Sequence, residues 1–269
     1  MDLALRPDRW PFCLEKWYVD LLLDDGGVLL VYLARMRLLG VTLARVTAEF
    51  FPPEGPVIRG DAPVPHVEGA MDRLLFGPAT LDGDTLAFDT PGLSGRLRYH
   101  PLHDPVTLRT PFLEARGRSL DWVVEIPDAE VEGELRWPGG TRAVMGRGYR
   151  DRVRFDLPPW RFPIRELVWG RAVCGPHAAT WVQADTLSGR ISARWVDGVV
   201  DEGEGPPVEL GPDRVLLDAH VVDLETLRLG ALRPLLRLLS GDPAETKRAA
   251  SASLEGFTGR AIHETVRWT

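Results

Sequence analysis

The chain has 269 residues, 44% of them apolar, and a formal net charge of −7. That is long enough for one large domain or two small ones, and apolar enough to build a core. The acidic balance argues against a nucleic-acid footprint. The longest apolar run, Val28 to Leu43, is cut by Arg35 and Arg37, too short and too charged to span a bilayer.

The first residues carry no apolar leader, which predicts a soluble, cytoplasmic protein. Lys16–Leu23 and Val28–Met36 read as two strands of a hairpin, joined by Asp24-Asp25-Gly26-Gly27. Leu81-Asp82-Gly83-Asp84 and Trp137-Pro138-Gly139-Gly140 are further turns. Between them Leu120, Trp122, Val124 and Ile126 alternate with Asp121, Val123 and Glu125, as in a half-buried strand. Val131, Gly133, Leu135 and Trp137 do the same. Ser188-Gly189 joins Thr180–Leu187 to Arg190–Val196. Leu232, Leu235, Leu236 and Leu239 give a helical stripe that Gly241-Asp242-Pro243 stops. Asp242 and Pro243 then predict the N-cap and first turn of a second helix, Ala244 to about Leu254. Arg260 to Trp268 closes the chain as a strand.

Glycine and proline number 27 and 23 and are spread throughout, which suits many short strands joined by turns. The prediction is an all-β protein of two packed antiparallel β-barrels, with a short helical insert at about residues 231–254. The Pro138–Gly140 turn and the proline-rich Leu157–Pro163 both qualify as the boundary. It is placed near 140, giving domains of residues 1–140 and 141–269.

The most informative stretch is Met145 to Phe155. Met145, Tyr149, Asp151, Val153 and Phe155 share one face by period 2, while Arg150, Arg152 and Arg154 share the other. Arginines favour water, so the first face is predicted to point inward. Arg147 falls on that face too, unless the glycines beside it form a bulge. A phenol and a carboxylate two residues apart on an apolar face are either structural glue or a site, because an isolated buried charge is very costly. Cys13 and Cys174 have no metal spacing and read as buried free thiols. His100 and His103 read as solvated loop residues rather than metal ligands, and His263 as a surface group.

These residues carry a family resemblance. Gly146-x-Gly148-Tyr149-x-Asp151, followed by Trp169-Gly170-Arg171, resembles the pattern G-x-G-Y-x-D-H-N-W-G then W-x-W-G-R of the carotenoid 1,2-hydratases, or hydroxyneurosporene synthases. Glu15–Asp20 looks like that family's first strand, and Gly259–Glu264 is similar to its last. Where the family has H-N-W-G this chain has Arg152-Val153-Arg154-Phe155, and Leu167 replaces the first tryptophan of the second motif. The resemblance implies a tandem lipocalin-like fold and acid-catalysed addition of water to a carbon–carbon double bond, without a cofactor or metal. The wider clan also holds polyene cyclases and binders of lipophilic ligands.

By the same resemblance Asp151 is the acid and Tyr149 its hydrogen-bonding neighbour. Trp122, Trp169, Arg171 and Trp17 are the ligand-binding candidates, the tryptophans offering π faces to a developing carbocation. Two alternatives stay open. Asp151 either acts on a ligand or is locked in a structural pair with Arg171, which would hold it ionised. The protein is either a lyase or cyclase acting on an isoprenoid or polyene, or a non-catalytic carrier of a lipophilic small molecule. The expected partner in both cases is a hydrophobic ligand, with transient membrane contact allowed and the oligomeric state open.

Overall fold

In a computed structural model, residues 5, 12–38, 40–115, 117–158, 163–220 and 243–268 are described. They form two compact units. The described residues within Met1–Thr107 and Arg118–Asp156 make the first, and those within Leu108–Gly117, Leu157–Leu224 and Arg228–Thr269 the second. Among the described residues every regular element is a strand, as the all-β prediction required.

The strands are β1 (Phe12–Leu23), β2 (Val28–Leu38), β3 (Val41–Phe51), β4 (Ile58–Pro63), β5 (Val67–Gly69), β6 (Arg73–Phe76), β7 (Ala79–Asp82), β8 (Thr85–Thr90) and β9 (Leu93–Pro101). They continue with β10 (Leu113–Ala115), β11 (Arg118–Trp137), β12 (Gly140–Phe155), β13 (Ile164–Cys174), β14 (His177–Thr186) and β15 (Gly189–Val196). The last are β16 (Val199–Asp201), β17 (Glu209–His220), β18 (Ala244–Leu254) and β19 (Phe257–Arg267).

The sheet of the first unit runs β4-β3-β2-β1-β12-β11-β9-β8-β7-β6-β5. It curls until β4 meets the β8–β9 turn. A Cβ on Gly60 would fall 2.2 Å from the Thr90 hydroxyl, so only glycine permits that approach. The sheet of the second unit runs β16-β15-β14-β13-β19-β18-β17.

Period 2 gives each sheet an apolar core face. In the first unit Trp17, Val19 and Leu21 of β1 pack with Leu29, Val31 and Leu33 of β2, Phe50 of β3 and Tyr99 of β9. In the second, Ala172, Cys174, Ala179, Ala252 and Ala261 close around Trp181. The opposite face is buried as well in the central strands, so β1 carries apolar residues on both sides. Both cysteines are buried, and neither is in a disulfide.

Two expectations are corrected. Ala244–Leu254 is not a helix but β18, paired along its length with β17 and β19. Its alanine, glutamate, lysine and arginine favour helix locally, but two neighbouring strands satisfy its backbone as a sheet, and tertiary pairing overrides propensity. The leucine stripe at Leu232–Leu239 lies outside the described residues. The two compact units divide at Asp156/Leu157, at the proline-rich stretch that also qualified as the boundary. Pro138–Gly140 belongs to the hairpin that joins β11 to β12 within one sheet.

The second correction concerns the arginines. Arg150 and Arg152 are buried, not solvated. Carboxylates meet them there. Arg150 Nε lies 3.0 Å from Glu125 Oε2, and Arg150 also donates to the Gly83 carbonyl at 3.1 Å. Arg152 pairs with Glu15 and stacks over the Trp17 ring at 4.9 Å. Arg154 and Arg35 each approach the same glutamate at 3.8 Å. Burial of a guanidinium is tolerable when the carboxylate comes with it.

Candidate functional site

Strand β12 crosses the middle of the first sheet, between β1 and β11. Its register against β1 is continuous through Gly146, Arg147 and Gly148, so no bulge resets its faces. The glycines serve close approach instead. A Cβ on Gly146 would lie 2.1 Å from the Leu22 carbonyl oxygen, and one on Gly148 2.4 Å from Val131. Arg147 stays on the face of Tyr149 and Asp151, where it pairs with Asp128. That face begins in solvent, with Met145 exposed rather than inward, and is fully buried by Tyr149 and Asp151.

The Asp151 face is the one opposite the apolar core. Along one row it carries Thr47 of β3, Tyr32 of β2, Tyr18 of β1, Asp151 of β12 and Val124 of β11. The next rows add Asp20 beside Tyr149, and Trp122 beside Val153. Two neutral donors converge on one carboxylate oxygen. Trp122 Nε1–H donates to Asp151 Oδ2 at 3.0 Å, and the Tyr149 hydroxyl donates to the same atom at 3.0 Å. The Tyr18 ring lies 5.2 Å from that of Tyr32 and 6.2 Å from that of Tyr149, and Lys16 Nζ sits 5.7 Å from the Tyr32 centroid. Three of the four tyrosines in the chain therefore gather around one aspartate.

Strand β11 shapes this row with two irregularities, between Val124 and Ile126 and between Ile126 and Ala129. The first leaves Val124 facing Asp151 while Ile126 enters the core with Arg150. Glu125, the extra residue, turns to Arg150. Burial pushes its carboxyl pKa up, while the Arg150 and Arg152 guanidiniums draw it down by less.

Trp17 stands on the other face. It is a core residue set edge-on to Phe76 at 6.1 Å, and Arg152 covers its ring. The structure thus brings Asp151, Tyr149 and Trp122 together and leaves Trp17 out. Trp169 and Arg171 belong to the second unit, on the face of its sheet opposite the Trp181 core. There Lys247 Nζ lies 5.5 Å over the Trp169 ring, 2.5 Å from Glu264 and 3.8 Å from Glu245. Arg171, Thr180 and Trp195 occupy the next row and are fully buried. The alternation had placed Trp169 and Arg171 on one face. Lys247 was hidden inside a segment read as helix.

The histidines sit apart from these clusters. His100 is exposed, 3.5 Å from Glu132. His263 is half-buried rather than a surface group. Among the described residues no cluster of three histidine, cysteine, aspartate or glutamate side chains is placed to hold a metal.

No protein-family model matches the chain, and no curated protein matches it in sequence. Solved structures do match in fold. The crystal structure of CghA shares 14% identity at a TM-score of 0.67, over 100% of this chain and 95% of that one. CghA crystallised with Sch210972 gives 15% and 0.65, over the same shares. An AttH-like protein from Nitrosomonas europaea shares 11% at 0.59, over 99% of this chain and 98% of that one. Kievitone hydratase from Nectria haematococca shares 11% at 0.51, over 95% and 89%. The likeness extends over whole chains, so the all-β, lipocalin-like architecture of both units is shared with these proteins.

Proposed function

We propose that the protein is an enzyme of the hydratase or cyclase kind, acting without a cofactor on an apolar isoprenoid or polyene held against the Asp151 face. The observation that carries this reading is the convergence of Tyr149 and Trp122 on Asp151 Oδ2, within a buried aromatic surface. With Oδ2 accepting two hydrogen bonds, the proton of the acid form of Asp151 belongs on Oδ1. Protonation of a double bond by that atom leaves a carbocation, and the Tyr18, Tyr32 and Trp122 rings offer it their π faces. A hydratase and a protein crystallised with a small molecule on the same fold support the reading by analogy, since fold alone does not fix chemistry. The resemblance to carotenoid 1,2-hydratases suggests a carotenoid-like polyene as the first substrate to try.

Asp151→Asn tests it. The amide keeps both acceptor bonds but cannot deliver the proton. Turnover of a polyene should fall by at least about 10²-fold, while saturable quenching of tryptophan fluorescence by that polyene stays unchanged. A folded Asp151→Asn protein with full turnover overturns acid catalysis; saturable binding without turnover in the native protein makes it a carrier. Arg171→Met, alone and combined with Asp151→Asn, tests the structural pair. If the two ions are partners, the double variant should recover part of the stability that the single one loses.

A further inference from the structure

The register of β1 against β12 sets a second carboxyl beside Asp151. Tyr18 stands opposite Asp151 and Asp20 opposite Tyr149. Two aspartates thus occupy one diagonal of a cross-strand square and two tyrosines the other, all four at most 3% exposed. Diagonal neighbours on one face of an antiparallel pair lie about 7–8 Å apart. Where one carboxyl acts as acid, another as base and a water must fit between them, the separation is about 6.5–9.5 Å.

A second observation points to a guest on this face. The Thr47 hydroxyl, in the row of Asp151, Tyr18 and Tyr32, is buried and has no hydrogen-bond partner among the described residues. Its cross-strand neighbour Asp61 is taken by Arg45. Buried hydroxyls are almost always satisfied, by ordered water or ligand where the protein does not do it.

Hydrating a carbon–carbon double bond moves two protons, one onto carbon and one off the attacking water. The function proposed above accounts only for the first. Resting on that reading, we propose that Asp20 is the general base of the same reaction. The π electrons of the double bond take the proton from Asp151 and form the C–H bond. The oxygen of a water between the two carboxyls then bonds to the cationic carbon, and the water's proton passes to Asp20. Asp151 ends ionised and Asp20 protonated, and solvent exchange resets the pair. Among the described residues of this face, Lys16 lies over Tyr32, Arg147 pairs with Asp128, Arg45 with Asp61 and Glu49 with Arg59.

The test uses the full chain with lycopene in D2O and reads two products. One is the alcohol; the other is deuterium in recovered or double-bond-shifted polyene, which reports protonation alone. The native protein should give both, and Asp151→Asn neither. Asp20→Asn should lose alcohol formation by at least about 10²-fold while deuterium still enters the polyene, because an untrapped carbocation can only give a proton back. Asp20→Glu should restore part of the alcohol and move the acid limb of the kcat–pH profile. Undiminished alcohol from folded Asp20→Asn, with Asp151→Asn inactive, overturns the base and leaves the parent reading standing. If Asp20→Asn does not fold, an acid limb unmoved in Asp20→Glu overturns it equally. A native protein that forms neither product, or a fully active Asp151→Asn, overturns both.

Discussion

Glu264 and Asp151 are buried carboxylates on equivalent faces of two sheets, each opposite its unit's apolar core. Glu264 lies 2.5 Å from the ammonium of Lys247, which is itself 1% exposed and lies over Trp169. Asp151 Oδ2 takes its bonds from an indole and a phenol. The first arrangement matches charge with charge and holds three strands in register. At Asp151 Oδ2 both donors are neutral, and neutral donors can serve either protonation state of the carboxyl. Burial alone therefore does not mark a site. Glu15 and Glu125, both met by arginines, resemble Glu264 in this.

The largest expected effect is on the structural side. Lys247→Met removes the buried ammonium that Glu264 and Glu245 meet. It should cost about 3–5 kcal/mol, as breaking a buried pair does, read from urea denaturation. Asp151→Asn keeps an acceptor for both Trp122 and Tyr149. It should cost about 0.5–1.5 kcal/mol, the scale of one ordinary hydrogen bond. Equal losses in the two variants would erase the distinction and make Asp151 a structural ion.

A smaller change sharpens the same point. Trp122→Phe keeps the ring and deletes one donor to Oδ2. Stability should fall by about 0.5–1.5 kcal/mol, with turnover falling further than ligand affinity if the indole N–H orients the acid. Equal falls in both would mean that Trp122 serves only as a wall.

Period 2 was enough to place Tyr149 with Asp151, and Trp122 on an inward face, because each judgement uses only a strand's own alternation. What failed needed information from a second strand. Arg150 and Arg152 read as solvated because Glu125 and Glu15, their carboxylates, lie on other strands. Ala244–Leu254 read as helix because its composition is helical and its two neighbours in the sheet are invisible in the segment itself. Tyr18, Tyr32 and Asp20 were not singled out, although Glu15–Asp20 carried part of the family resemblance. Their place beside Asp151 is fixed by a β1–β12 register between distant parts of the chain. Trp17, one residue from Tyr18, falls on the opposite face for the same reason that Tyr18 falls on this one.

The smallest expected effect comes from a group on the second unit's other face. His263 stands opposite Gly170 of β13 and Arg248 of β18, with Asp213 of β17 at 3.9 Å. Burial lowers its pKa below the ordinary 6.5; Asp213 pulls the other way and Arg248 adds to the lowering. The folded protein therefore binds fewer protons at this site than the unfolded chain between the lowered value and 6.5. Stability rises with pH across that window, is complete above it, and is lost as pH falls through it. His263→Gln removes the group that titrates and keeps a neutral polar side chain. The difference in melting temperature between variant and native protein should thus shift in the variant's favour as pH drops from about 7 to about 5. The other histidines, including His177 on Asp197, cancel in that difference because both proteins carry them. Parallel melting curves across the window would mean that His263 titrates as it does in the unfolded chain, and that its half-burial among Arg248 and Asp213 has no net electrostatic cost.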